Sequence, residues 1–123
     1  MIPLMSLDYL HFDFSGDDEG LGSFDAMAAA VPDQLPALED ELVRVLDWAE
    51  REFGSAAPLD EGGEWDYELQ GVREASTPLR VQYGAGALQL NDAGSATPRV
   101  TLSLTLTGTP LFCAALREAF DID

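Results

Sequence analysis

The chain reads as one α+β domain over residues 1–123, a mainly antiparallel sheet of four to five strands with helices packed on one face. Three observations carry that reading. Residues 99–107 alternate strictly, Val100, Leu102, Leu104 and Leu106 against Thr101, Ser103, Thr105 and Thr107, which is the period of a strand with one buried and one wet face. Residues 35–53 repeat Leu35, Leu38, Leu42, Val45, Leu46, Ala49 and Phe53 as the stripe of an amphipathic helix. The other strand candidates also alternate, whereas strands of a doubly covered parallel sheet would be continuously apolar.

In chain order the expected elements are β-α-α-β-β-(β)-β-α. Ser6–Phe14 alternates as a first strand, with Leu10, Phe12 and Phe14 opposite Tyr9, His11 and Asp13. After a polar, glycine-rich loop, Ser23 caps a short helix through Phe24, Met27, Ala28 and Val31, which Pro32 ends. The long helix follows, with Asp33 as its cap, Pro36 in the first turn and Gly54 as its stop. On its polar face Asp40–Arg44 and Asp47–Arg51 pair at i, i+4. Glu64–Gln70 is the next strand, placing Trp65, Tyr67 and Leu69 on one face. Leu79, Val81 and Tyr83 form another, and Leu88 with Leu90 a continuation or a return around Gly84-Ala85-Gly86, either a turn or a bulge. Gly108-Thr109-Pro110 then ends the strictly alternating strand and starts a final helix with Leu111, Phe112, Ala115, Leu116, Ala119 and Phe120 on its apolar face. At 123 residues, 46% of them apolar, the chain can bury roughly two thirds of its unfolded surface in one core.

Charge is distributed unevenly. Nineteen of the 23 acidic residues but three of the six arginines lie in residues 1–75, which carry −16 of a formal −17, and there is no lysine. Such a field repels nucleic acid and anionic membranes and attracts basic surfaces. The first residues have neither a basic n-region nor an apolar h-region. Cys113 is the single cysteine, so no internal disulfide forms. A cytoplasmic protein is expected, and the lysine-free, alanine- and glycine-rich composition suggests a bacterial source.

No catalytic or cofactor motif stands at a specific spacing. An EF-hand counted from Asp13 needs a glycine and an acid where Asp18 and Phe24 stand, so it fails. No GxGxxG, P-loop or GxSxG arrangement is present, and no cofactor or metal is expected. Two acidic loops, Asp17, Asp18 and Glu19 with Asp60 and Glu61, are candidate contacts for a basic partner. Trp48, off the helix stripe beside Glu41 and Glu52, is either an aromatic anchor for that partner or a packing residue. If the strands of His11 and Glu68 are neighbours, Tyr9, His11, Asp66 and Glu68 make an alternative sheet-face site with a His–carboxylate pair.

The leading expectation is therefore a small, acidic, non-enzymatic binding module that masks or recruits a positively charged protein surface. The alternatives are a small-molecule binder or enzyme using the His11 face, and a structural protein without a specific ligand. Should residues 99–107 form a sheet edge, a homodimer through that edge is a further expectation.

Overall fold

The computed structural model describes residues 7–122. Its elements are β1 (Asp13–Gly16), β2 (Gly22–Ala30), α1 (Leu35–Phe53), a 3-10 turn (Leu59–Glu61), β3 (Trp65–Ser76), β4 (Leu79–Gly84), β5 (Ala87–Asp92), β6 (Thr97–Gly108) and α2 (Pro110–Phe120). A four-stranded antiparallel sheet runs in the order β1-β2-β6-β3, and β4 pairs with β5 in a separate two-stranded sheet. The fold is α+β, as the alternating strands imply.

Two expected elements take other forms. Residues 22–30 are a strand, not a helix, paired along their length with β6 from Gly22↔Gly108 to Ala30↔Val100. Phe24, Ala26 and Ala30 are buried and Asp25, Met27 and Ala29 exposed, so a period of two prevails over the helical spacing of Phe24 and Met27. Pairing with a central strand outweighs alanine's local helix preference.

The expected first strand, whose start at Ser6 lies outside the described residues, is extended only over Asp13–Gly16. Before it, the backbone N–H groups of Asp8, Tyr9 and Leu10 all donate to the Glu41 carboxylate at 2.7–3.1 Å. Consecutive N–H groups of a strand point to opposite sides, so three converging on one carboxylate require a bent chain. The segment still contributes Leu10 to the core.

Both helices cover one face of the sheet. Phe24, Leu104 and Leu106 on that face meet Leu38, Leu42, Val45 and Ala49 of α1 and Phe112, Leu116 and Phe120 of α2 in one core, each large apolar side chain contributing about 1.5–3 kcal/mol by burial. Trp65 stacks on Phe112 with ring planes 6° apart, and its indole N–H donates to the Gly54 carbonyl at 2.8 Å. A Cβ at Gly108 would run into the Phe112 ring, so the bare glycine lets α2 turn back directly onto β6. Thr109 caps α2 by accepting the Phe112 N–H, with Pro110 in the first turn. The cap of α1 is Gln34, without a side-chain hydrogen bond, instead of Asp33.

β3 and β6 continue past the end of β2, from Glu74↔Arg99 to Ser76↔Thr97, and lead into the β4–β5 hairpin. Its tip is a two-residue turn with φ of 52° at Ala85 and 77° at Gly86, the paired left-handed conformations of a type I′ turn. The glycines therefore form a turn and not a bulge. Every residue of this arm from Glu74 to Arg99 is exposed.

Candidate functional site: an acidic groove beside an open sheet edge

β6 lies between β2 and β3, so the condition for pairing through residues 99–107 is not met. The long edge is β3. Glu64 offers its carbonyl to the Thr109 N–H on the β6 side, whereas Trp65 offers its own to Ala57 N–H on the other side, both at 3.0 Å. Backbone groups of alternate residues in an antiparallel strand share a direction. Tyr67, Leu69, Gly71 and Arg73 thus turn their N–H and C=O away from β6, where no further strand lies among the described residues, and the Tyr67 N–H donates to Asp66 Oδ1 at 2.9 Å.

Beside this edge α1 and β3 enclose a groove of about 800 Å³. Its floor includes Val43 and Leu46 from α1 and Tyr67 and Leu69 from β3, with Val43, Tyr67 and Leu69 exposed by 53, 46 and 44%. Four acids line it. Asp47 and Glu50, three apart on α1, stand on the helix side, and Asp66 and Glu68 alternate with Tyr67 and Leu69 along β3, on the side of the strand that faces the uncovered surface of the sheet. The ion pair of Arg51 is with Glu52, at 3.9 Å, so the expected Asp47–Arg51 pair does not tie up the rim.

The two acidic loops lie at one end of the molecule, for Asp17 and Leu59 line the same shallow depression. Asp17 is a turn residue as well as a charge, since its Oδ1 accepts the N–H groups of Glu19 and Leu21, each at 2.9 Å. Asp18, Glu19, Asp60 and Glu61 are exposed. On the uncovered face of the sheet Asp13 stands opposite Asp25, whose Oδ1 accepts the Thr105 hydroxyl at 2.7 Å, and Glu68 lies across β6 in the same row.

The alternative site does not assemble. His11 precedes β1, at the sheet edge opposite β3, so two strands separate it from Asp66 and Glu68, roughly 14 Å at about 4.8 Å per strand step. Tyr9 packs against the core and gives its N–H to Glu41. Among the described residues no cluster of His, Cys, Asp and Glu is placed to hold a metal ion.

Trp48 is buried against Phe53, Phe112 and Phe120, which removes it from the surface contacts. Cys113 is also buried, its thiol facing the Gly108 carbonyl at 3.5 Å. Burial pushes that thiol above its ordinary pKa, against smaller opposing pulls from the Gly22 N–H and the Arg117 guanidinium.

Sequence reasoning did not single out Val43, Asp47, Glu50, Tyr67 and Leu69 as a site. The available signal was Val43, an aliphatic residue off the α1 stripe one turn before Asp47. No helix of the described residues is long and apolar enough to cross a membrane. Compared with known proteins, the chain matches no protein-family model, no curated protein and no solved structure.

Proposed function

We propose that this protein is a non-enzymatic binding module that accepts an extended, basic segment of a partner protein as an added strand along β3. The observation that supports this reading is the open backbone edge at Leu69, Gly71 and Arg73, continuing from a groove that Asp47, Glu50, Asp66 and Glu68 line. Main-chain pairing supplies affinity in strand addition, and pockets for alternate side chains supply specificity. Side chains of the added strand that face α1 would cover Val43, Tyr67 and Leu69. Those facing the other way would lie beside Asp66 and Glu68. A segment alternating aliphatic and arginine residues satisfies both sides.

The loop acids and the total charge of −17 act at longer range, raising the encounter rate with a basic partner. Placement in the cytoplasm is part of the proposal, in keeping with a buried free thiol.

A fluorescent peptide of alternating arginine and valine tests the reading by anisotropy. Binding should weaken with salt, fall at least about tenfold, or 1.4 kcal/mol, on joint Asp47→Asn, Glu50→Gln, Asp66→Asn and Glu68→Gln substitution, and vanish when the peptide backbone is N-methylated at alternate residues along its pairing edge. Equal binding by peptides methylated along either edge would contradict strand addition.

A further inference from the structure

The β4–β5 hairpin is amphipathic in register. Val81 pairs with Leu90 and Tyr83 with Leu88, and Leu79 shares their face with Asp92 opposite it at the hairpin base, while Arg80, Gln82, Gln89 and Asn91 occupy the other. The five apolar side chains are exposed by 51–80%. Together they form a patch on the order of 500 Å², near the upper end of what a monomer leaves open. A two-stranded hairpin with nothing beneath it is marginal in water, so this face needs a cover.

We infer that the cover is the same face of a second copy, the two hairpins packing as a symmetric pair. Charge selects that occupant. From Gly71 to Val100 three arginines, Arg73, Arg80 and Arg99, stand with two acids, Glu74 and Asp92, a net +1, so the rest of the chain carries −18 of the total −17. The −18 remainders of two copies repel each other strongly, whereas two arms of +1 meet with almost no charge between them. The β4 strand from Leu79 to Gly84 spans about 20 Å at ~3.3 Å per residue, and hairpins packed tip to base hold the acidic bodies apart by more than the ~8 Å screening length at 0.15 M salt. Burying the patch on both copies removes about 1,000 Å², the least area of a specific interface. The surface is separate from the β3 groove and leaves it open.

Sedimentation equilibrium of the full chain tests the inference. At ~100 μM, where a dimer with a Kd of about 1 μM is nearly complete, the mass should be twice the 13.3 kDa of one chain, and added salt should tighten the dimer. Joint Val81→Asp and Leu90→Asp substitution should weaken association at least about 100-fold, with near-ultraviolet circular dichroism confirming an intact body. If that variant loses the body's signal, the milder Tyr83→Ser, at the exposed tip, should still weaken association about tenfold. A wild-type monomer at this concentration, or a dimer that folded arm variants leave unchanged, would overturn the inference.

Discussion

Glu41 holds both carboxylate oxygens against the backbone N–H of Tyr9, at 3.0 and 3.1 Å, while being 4% exposed. With the N–H groups of Asp8 and Leu10 also on this carboxylate, one acid on α1 fastens the N-terminal segment across the helix and holds Leu10 in the core. Hydrogen bonds to a charged acceptor contribute about 1.5–3 kcal/mol each, and a buried donor left without a partner costs about 1–3 kcal/mol. Glu41→Ala should therefore lower unfolding free energy in urea by about 2–4 kcal/mol. Glu41→Gln, which keeps one acceptor oxygen, should cost about half as much.

Directly opposed like charges weaken an antiparallel pair by up to about 1 kcal/mol, and Asp13 faces Asp25 in the β1–β2 register. Asp13→Asn should stabilise the protein by about 0.2–1 kcal/mol. Asp25→Asn should gain less, because it weakens the bond from Thr105. Sodium chloride should raise the melting temperature of the wild type, since screening relieves repulsion among many exposed acids.

The Cys113 thiol should resist alkylation near neutral pH in the folded protein and react quickly in denaturant, because burial disfavours the thiolate. The folded pKa lies above the unfolded one. This group's contribution to stability is therefore complete below the ordinary thiol range and is lost as pH rises through the folded value. Urea midpoints of wild type and Cys113→Ala, compared across that alkaline window, should converge as pH rises.

The two acidic regions should separate kinetically. Neutralising Asp17, Asp18, Glu19, Asp60 and Glu61 should slow association with the arginine–valine peptide several-fold and flatten its salt dependence, with little change in dissociation. Asp17→Asn keeps a side-chain oxygen for the turn. Neutralising the groove acids should chiefly accelerate dissociation. Stopped-flow measurements distinguish the two, and equal effects on both rates from both sets would remove the division of labour.

α1, β6 and α2 were legible because each is fixed by its own period and end residues: the stripe from Leu35 to Phe53, the alternation from Val100 to Thr107, the Thr109 cap before Pro110. What depends on partners was not. The helical spacing of Phe24 and Met27 gave way to pairing with β6. Trp48 and Glu41 lie off the α1 stripe, and both became buried because α2 and the N-terminal segment close over that flank. Strand order decides the site. With β1 and β3 on opposite edges His11 and Glu68 never meet, and Tyr67 and Leu69, inward by alternation, stay half-exposed because no strand of the described residues lies beyond β3 in the sheet.

The central claim is that the free edge of β3 is the docking strand. Amide hydrogen exchange resolved by NMR reads it residue by residue: Leu69, Gly71 and Arg73 should exchange quickly in the free protein, while Glu68 and Gln70, bonded to β6, exchange slowly. Saturation with the arginine–valine peptide should slow the first set by at least about tenfold and leave exchange in the β1–β2 turn unchanged. Peptide binding that leaves those three amides unchanged would contradict the account.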